Sequence, residues 1–261
     1  MTIAPESAPL LSLILPAYNE EGRLPRSLRA IRRYLAEQPY QAEVIVVDDG
    51  SADGTAALVE RRALRWPELR LVRTPHRGKG SAVRAGLLAS RGASCFLCDA
   101  DLSMPIGELA KFVPPQHPDG AVVIASREAA GAHRYHEPPH RHVMGRVFNT
   151  LVRALALPGV QDSQCGFKCL PGDLARQLAE AMTIDGFGFD VELLYVARLW
   201  GRQIVETPIA WHYSPSANIH PLRDSWRMTC EVMRVRRNAR LGLYARPALV
   251  PSEVAAVPWA Q

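Results

Sequence analysis

Long apolar runs are missing from this chain of 261 residues. The longest candidates, Leu10–Leu15 and Ala121–Ala125, are far shorter than the roughly 18 apolar residues that a membrane-spanning helix needs. A secretory signal pattern is missing too, and the five cysteines are an odd number, which favours a reducing compartment over a disulfide framework. We therefore expect a cytoplasmic protein. If it acts on a lipid, it should lie peripherally on the cytoplasmic face of a membrane.

Common cofactor signatures are absent as well. Gly78-Lys79-Gly80 is not a Walker loop, because position 73 lacks the glycine that such a loop requires. No Gly-x-Gly-x-x-Gly follows the first apolar run, which excludes a dinucleotide-binding fingerprint. Cys95 and Cys98 lie in a predicted strand, where residues three apart face opposite sides. We expect them to be core residues rather than ligands of one zinc ion.

The chain does contain a regular alternation of short apolar runs and helical patterns. Between the first two runs, apolar residues recur at helical spacing from Leu24 to Leu35. The predicted strands are Leu11–Leu15, Val44–Val47, Leu69–Val72, Cys95–Cys98 and Ala121–Ala125. This order predicts an α/β fold with a single doubly wound, mostly parallel sheet flanked by helices. The second half is less regular, and Gly131–His142 is expected to be a long polar loop.

Positive charge is concentrated near the end of the chain. The segment from Pro221 to Arg246 holds seven arginines and two acids, a surplus equal to the whole formal net charge of +5. A clustered surplus of this kind favours an anionic partner, such as lipid headgroups or phosphates. Trp226, Cys230 and Met233 recur at helical spacing within it, so the helix either lies on an anionic membrane or packs this stripe on the domain.

Polar side chains follow the predicted strands at the edge where ligands bind in such sheets. Asp99 and Asp101 come after the fourth strand, and Arg127 comes after the fifth. Two neighbouring carboxylates are costly unless a cation neutralises them. Mg²⁺ or Mn²⁺ would do so with oxygen ligands, and would neutralise charge on a departing diphosphate. In isolation, however, Asp-x-Asp is a weak signal that is more typical of a solvated turn than of a metal site.

Several motifs occur in a fixed order, and their combination is far more specific than any one of them. They are Pro16–Glu21, Val46–Ser51 with Asp53-Gly54-Thr55, Arg77–Gly80 and Asp99–Asp101. This order resembles family 2 glycosyltransferases, which have the GT-A fold. Three later segments are similar to the dolichyl-phosphate glucose and dolichyl-phosphate mannose synthase branch: Asp162–Lys168, Phe189–Leu194 and Glu206–Trp211. The resemblance runs from about Leu11 to Arg240.

The resemblance implies a role for each matching position. Residues expected to bind the nucleotide sugar are Pro16, Ala17, Tyr18, Glu20, Asp48, Asp49, Lys79, Asp99 and Ala100. Asp99 and Asp101 would hold the metal; Ser103 stands where some relatives have a longer carboxamide ligand. The residues expected to serve catalysis are Asp101, Arg127, Asp162 and Asp190. Asp190 and Glu192 point in nearly opposite directions on a helix, so only one of them should face the cleft.

The acceptor implied by the resemblance is a polyprenyl phosphate. A phosphate monoester is already anionic at neutral pH, so it needs guiding cations rather than a strong general base. The residues expected to bind it are Arg134, Arg141, Gln164 and Lys168. We expect residues 132–146, rich in arginine and histidine, to form a mobile loop that holds the acceptor phosphate.

The sequence contains no internal repeat, no low-complexity linker and no clear domain boundary. We expect one domain over residues 10–246, between loose tails at 1–9 and 247–261. Its nucleotide-binding half covers about 10–127, and its acceptor-side extension covers about 128–220. A basic helix over about 221–242 ends the domain.

Three functions remain open at this point. The first is an inverting, metal-dependent transfer of a hexose, with glucose from UDP-glucose favoured, onto a polyprenyl phosphate. The second is a soluble family 2 enzyme using GDP-mannose or another nucleotide sugar with a small-molecule or saccharide acceptor. The third is an inactive module that tethers to a membrane or nucleic acid. The intact Asp99 and Asp101 argue against the third, and nucleic-acid binding lacks a recognisable motif.

Overall fold

The computed structural model describes residues 9–213 and 221–246, with side chains in the second range described from Trp226 onward. Nearly all of both predicted tails, 1–9 and 247–261, therefore lies outside the described residues. No helix in the described ranges is long and apolar enough to cross a membrane.

A seven-stranded sheet forms the centre of the molecule. Its strands are β1 (Leu11–Ala17), β2 (Ala42–Asp48), β3 (Leu69–Arg73), β4 (Ser94–Leu97), β5 (Val122–Ser126), β7 (Lys168–Pro171) and β8 (Ile204–Pro208). The spatial order is β3-β2-β1-β4-β7-β5-β8. Every pairing is parallel except those of β7, which runs antiparallel to both β4 and β5. The predicted doubly wound, mostly parallel sheet is confirmed.

Helices cover both faces of this sheet. They are α1 (Leu24–Ala36), α2 (Thr55–Ala63), α3 (Lys79–Ala89), α4 (Pro139–Leu155), α5 (Gly172–Ala181), α6 (Phe189–Leu199) and α7 (Pro221–Arg240), with a 3₁₀ helix at Ile106–Lys111. One core cluster packs α3–α7 on the sheet, and the other packs α1, α2 and the 3₁₀ helix on the opposite face. Cys95 and Cys98 belong to different clusters, which confirms that they face opposite sides.

The second half of the chain is more ordered than its sequence indicated. Gly131–His142 is not one long loop: it contains β6 (His133–Tyr135), and α4 begins within it at Pro139. β6 pairs in parallel with β9 (Ala210–His212) to form a separate two-stranded sheet. The amide of His212 donates to the carbonyl of Ser103 (2.8 Å), which attaches this small sheet to the segment following Asp101. The predicted loop conformation is therefore wrong for β6 and for the residues from Pro139 onward.

Candidate active site

The loops after β1 and β2 are fastened to each other by side chains. Asn19 adopts a left-handed backbone (φ 55°), from which its Oδ1 accepts a hydrogen bond from the amide of Ala52 (2.9 Å). The amide of Asn19 donates to Oγ of Ser51 (2.9 Å), and Glu21 Oε2 accepts from the amide of Gly54 (2.9 Å). The sequence motifs at the two strand ends thus form one continuous rim.

Asp49 organises the next loop, between β3 and α3. Its buried carboxylate accepts hydrogen bonds from the amides of Arg77 (3.1 Å) and Gly78 (2.9 Å) and contacts Nδ1 of His76 (2.9 Å). The His76 ring stacks on Tyr18 at 4.0 Å between centroids. Asp49, predicted to bind the nucleotide, is therefore occupied in shaping the loop. His76 was missed by the sequence reasoning.

Other residues predicted to bind the nucleotide sugar lie at the same edge. Asp48 is buried, and its Oδ1 accepts from the amide of Ser51 (3.4 Å). Ala17 and Ala100 are buried, whereas Pro16 is half-buried and Tyr18 is exposed. Glu20 forms a two-pronged ion pair with Arg23 (2.6 and 2.7 Å). Burial raises the pKa of Glu20, although Arg23 opposes that shift.

Lys79 and Asp99 form an ion pair across the centre of the edge. Nζ of Lys79 lies 2.6 Å from Oδ1 of Asp99. Burial would raise the pKa of Asp99, but the Lys79 charge and hydrogen bond outweigh it and hold this pKa below its ordinary value. The pKa of Lys79 is raised because nearby carboxylates, led by Asp99, outweigh its burial. Gly166 lies beside this pair, where a Cβ would collide with the Asp99 carboxylate.

Asp101 differs from Asp99 in its surroundings. Its Oδ1 accepts a hydrogen bond from the amide of Ser103 (3.0 Å), and it has no ion-pair partner among the described residues. Burial is the main cause of the raised pKa of Glu20, and the negative charges of Asp101 and Asp53 add to it, so Asp101 lies near the loop after β1. The Asp-x-Asp motif thus offers one neutralised carboxylate and one open carboxylate.

Arg127 binds Asp162 rather than standing free at the end of β5. Nε and Nη2 of Arg127 lie 2.7 and 2.9 Å from the two carboxylate oxygens, and its amide donates to the same group (3.0 Å). The guanidinium also lies over the Trp211 ring, 5.2 Å from its centroid. Burial alone would raise the pKa of Asp162, but Arg127 lowers it to about 2. The Arg127–Asp162 ion pair borders the site, and its three hydrogen bonds fix the position of both side chains.

Lys168 and Asp190 form a second buried ion pair. Nζ of Lys168 lies 2.6 Å from Oδ1 of Asp190 and donates to the carbonyl of Cys165 (2.6 Å). Lys168 is fully buried, so the predicted direct contact with an acceptor is not what this arrangement provides. Burial raises the pKa of Asp190 despite the opposing charges of Lys168 and Lys79.

Glu192 lies on the other side of α6 from Asp190. Its carboxylate accepts hydrogen bonds from the amides of Thr183 (2.9 Å) and Ile184 (2.9 Å) and from the hydroxyl of Tyr244 (2.6 Å). The expectation that only one of these two acids faces the cleft agrees with this geometry. Asp190 is that residue, and Glu192 fastens the end of the described chain to the core.

The residues predicted to bind the acceptor are largely engaged with protein partners. Both guanidinium ends of Arg134 pair with acids, Glu128 (2.5 Å) and Glu137 (2.6 Å). Arg141 donates to the Tyr213 hydroxyl (3.2 Å) and lies over its ring. The amide of Gln164 faces the Met228 sulfur at 4.0 Å. These side chains therefore do not form a preformed phosphate-binding site in this structure.

A short segment before α6 joins the site to α7. The carbonyl of Asp185 accepts from the amide of Gly80 (2.8 Å), and a Cβ at Gly78 would approach that carbonyl to 2.5 Å. Three residues on, the amide of Gly188 donates to Oε2 of Glu231 on α7 (2.7 Å). Neither Glu231 nor Asp185 was singled out from the sequence, since no local pattern marks such distant contacts.

Three ion pairs lie at the centre of the site: Lys79–Asp99, Arg127–Asp162 and Lys168–Asp190. Asp48 and Asp101 have no ion-pair partner among the described residues, and each accepts a backbone amide hydrogen bond. In the described part of the chain, no group of three or more His, Cys, Asp or Glu side chains forms a complete metal cage. The donor set suits an ion such as Mg²⁺, which commonly takes one or two carboxylates and completes its shell with waters and substrate phosphates.

Residues 12–176 match the family described as glycosyl transferase family 2, which covers more than half of the chain. The chain is a family 2 glycosyltransferase. This family 2 enzyme is 31% identical to the dolichyl-phosphate beta-glucosyltransferase of Dictyostelium discoideum, over 90% of this chain and 76% of that protein. Proteins of the same name from Saccharomyces cerevisiae (30%; 90% and 76% covered) and Mus musculus (31%; 87% and 74%) are similarly related.

Solved structures confirm the GT-A fold of the family 2 enzyme. Mannosyl-3-phosphoglycerate synthase from Rubrobacter xylanophilus superposes with a TM-score of 0.64 at 20% identity, covering 96% of this chain and 79% of that one. Glucosyl-3-phosphoglycerate synthase from Mycobacterium tuberculosis, in complex with Mn²⁺, UDP-glucose and glycerol 3-phosphate, gives 0.62 at 21% identity, covering 92% and 82%. At such low identity the likeness establishes the fold alone.

Proposed function

We propose that this glycosyltransferase moves a hexose, with UDP-glucose as the favoured donor, onto a polyprenyl phosphate with inversion at the anomeric carbon. The observation that carries the proposal is the unequal carboxylate pair, in which Lys79 neutralises Asp99 and Asp101 stays open. The named relatives, which match about three quarters of their own length, support the choice of a dolichyl-type acceptor.

A divalent cation, Mg²⁺ or Mn²⁺, is the cofactor in this proposal. Asp101 would be its main protein ligand, and Asp99 would approach it or the nucleotide. When bound, such an ion supplies charge neutralisation for the leaving diphosphate. The glucosyl-3-phosphoglycerate synthase from Mycobacterium tuberculosis, which has a similar fold, was crystallised with Mn²⁺ and UDP-glucose, and this supports the choice of a divalent ion.

The chain's own residues fix the geometry of the donor. The stacked Tyr18 and His76 rings form a flat aromatic surface at the rim, where a base would lie. Asp49 holds the loop that leads to Lys79. Lys79 would attract the diphosphate, because its ammonium is held charged at the centre of the edge. Together these contacts would orient the anomeric carbon toward the acceptor.

An anionic acceptor suits the remaining side chains. A phosphate oxygen attacks without a strong base, so the site needs positioning more than proton removal. Asp190 would orient the sugar or the acceptor from the floor of the site, held in place by Lys168. Arg127 and Asp162 would border the same space. Of the proposed acceptor cations, Arg141 forms no ion pair with a described acid and donates instead to the Tyr213 hydroxyl.

A membrane surface is the proposed location of the acceptor. The stripe predicted on α7 points outward, with Trp226 72% exposed, Met233 50% exposed and Cys230 exposed. The alternative, in which this stripe packs on the domain, does not agree with those exposures. An amphipathic basic helix with an outward tryptophan is suited to lie on anionic lipid.

The test is a donor and acceptor screen with the full chain. Purified protein would receive UDP-glucose or GDP-mannose, Mn²⁺ or Mg²⁺, and either a short-chain polyprenyl phosphate or 3-phosphoglycerate. Metal-dependent glucosyl transfer to the polyprenyl phosphate, lost in Asp101→Ala, supports the proposal. Transfer only to the small phosphate acceptor would establish the soluble alternative, and equal activity of the Asp101→Ala protein would remove the proposed metal site.

A further inference from the structure

Six arginines surround one cavity on the outer face of α1 and α2. The cavity measures about 930 Å³. Its arginines are Arg29, Arg32 and Arg33 on α1 and Arg61, Arg62 and Arg65 on or just after α2. Apolar side chains, including Leu58 and Trp66, line the rest. We call this feature the arginine pocket.

The arginine pocket has no acidic counterpart in the described structure. α1 carries no acidic residue at all, and the one acid of α2, Glu60, pairs with Arg73 outside the pocket. None of the six guanidinium groups forms an ion pair with a described acid. An ordinary solvated helix face interleaves charges of both signs, so this surface departs from that pattern.

Like charges also stand at the spacings where helix side chains meet. On α1, Arg29 precedes Arg32 and Arg33 by three and four residues. Such pairs destabilise a helix when they carry the same sign. Burial and the charges of Arg29 and Arg32 lower the pKa of Arg62 below its ordinary value. The fold therefore retains an electrostatic repulsion that a bound anion would relieve.

Internal contacts hold part of the arginine pocket in shape. Nη2 of Arg32 donates to the carbonyl of Arg65 (3.0 Å), which ties α1 to the end of α2. The Arg32 guanidinium also lies 5.7 Å from the centroid of the Trp66 ring. Trp66 is buried, so it supports the arginines from below and offers no exposed stacking surface.

The arginine pocket is separate from the candidate active site and from α7. It lies on the C-terminal part of α1, about 8–14 Å along that helix from its first residue at a rise of 1.5 Å per residue. α1 and α2 pack on one face of the sheet, and α7 packs on the opposite face. A flat membrane that contacts α7 therefore does not also cover this pocket.

We propose that the arginine pocket binds a compact ligand carrying several adjacent phosphate groups, such as a short polyphosphate chain or a nucleoside polyphosphate. Guanidinium groups bind phosphate oxygens in pairs, and six around one concavity match a ligand of high charge density. The volume falls in the range of small-molecule pockets, and a concave wall suits a compact polyanion better than a flat bilayer. This inference does not depend on the proposed transferase reaction.

The experiment measures binding of sodium tripolyphosphate to the full chain by calorimetry, in EDTA and at fixed ionic strength. The test variant is Arg29→Gln/Arg62→Gln. The matched control is Arg234→Gln/Arg240→Gln on α7, which changes the net charge equally. We expect one site per chain in the wild type, at least tenfold weaker binding in the test variant, and a change below twofold in the control. ATP in place of tripolyphosphate distinguishes a nucleotide from an inorganic chain as the source of the phosphates.

The melting temperature and vesicle binding of the test variant provide two further checks. Removing two like charges should leave the melting temperature of the test variant unchanged or higher without ligand, so lost binding will not reflect unfolding. Equal binding by both variants would place the polyanion elsewhere and overturn the proposal. It would also be overturned if Arg29→Gln/Arg62→Gln abolished binding to phosphatidylserine vesicles but not to tripolyphosphate, because the surface would then be a membrane contact.

Discussion

The ammonium of Lys79 lies 2.6 Å from one carboxylate oxygen of Asp99, and this contact makes the two acids of the Asp-x-Asp motif chemically unequal. Asp99 is neutralised within the protein before any substrate binds. Asp101 keeps an uncompensated charge among the described residues, so it is the carboxylate that would recruit a cation.

The Asp101→Ala substitution is expected to lower the transfer rate by about 100-fold, since metal neutralisation of a leaving diphosphate contributes several kcal/mol. Asp101 is half-buried and accepts one described hydrogen bond, so the melting temperature should change little. Glucosyl transfer would be measured across a Mn²⁺ titration. Glu60→Ala, on the outer face of α2, is the control; a comparable loss there would contradict the assignment.

The Arg127→Gln substitution is expected to destabilise the protein by about 3–5 kcal/mol at pH 7, because it leaves the fully buried Asp162 without its cation. In the wild type, the pKa of Asp162 is lowered to about 2. Its stabilising contribution is therefore complete above the unfolded value of about 3.9 and is lost as the pH falls toward 2.

The same variant has a characteristic pH dependence. Without Arg127, the buried Asp162 takes up a proton at higher pH than in the wild type, so the stability gap between the two proteins should narrow on acidification. Urea unfolding at pH 7 and pH 3.5 would measure it. Arg146→Gln, an exposed arginine, should change stability by less than about 0.5 kcal/mol. A gap that stays constant across this pH range would show that Asp162 does not titrate as described.

Substitution of the two acids on α6 should separate catalysis from stability. Glu192→Gln replaces an acceptor of two amides and two hydroxyls, so we expect a loss of about 1–3 kcal/mol with unchanged turnover per folded molecule. Asp190→Asn also lowers stability, because Lys168 loses its counter-charge, but it should reduce turnover about tenfold or more. Initial rates of transfer, measured at a temperature well below the melting temperatures of both variants, separate the effect on catalysis from the effect on stability. Equal turnover in both variants would remove Asp190 from the site.

The Trp226→Ala substitution is expected to weaken binding to anionic vesicles about tenfold, a loss that corresponds to a fully buried large apolar side chain. Flotation with phosphatidylserine vesicles would measure it, and binding should weaken as salt rises because the α7 arginines are screened. Leu64→Ala is the control, since Leu64 is 86% exposed on the opposite face of the sheet. Salt-independent binding, or equal loss in the control, would contradict the α7 contact.

The first half of the fold is readable from the sequence because each element there is local. Parallel strands buried on both faces appear as short apolar runs, and the predicted run Val44–Val47 differs from β2 only at its ends. The antiparallel strand Lys168–Pro171 was missed. It is short, begins with a charged residue whose partner Asp190 is distant in sequence, and is defined by pairing on both sides.

The candidate site was predictable in its members but not in their connections. Motifs at strand ends identified Asp99 and Arg127, and the family resemblance identified Asp162. No pattern along the chain shows that Arg127 and Asp162 bind each other or that Lys168 is fully buried. His76 carried only a weak signal, two residues before Gly78. A charged residue is available to a ligand only if no distant residue pairs with it. Such pairs form between residues far apart in the chain, so they become visible only in the folded structure.

The contact between Glu231 and Gly188 has a mechanical consequence. A movement of α7 either breaks that hydrogen bond or moves residues 185–188 with the helix. The carbonyl of Asp185 in turn accepts a hydrogen bond from the first turn of α3, the helix that begins at Lys79. The orientation of α7 and the position of the Lys79 ammonium beside Asp99 are therefore coupled. A surface that displaced α7 while these contacts persist would therefore also displace the first turn of α3 and the Lys79 ammonium.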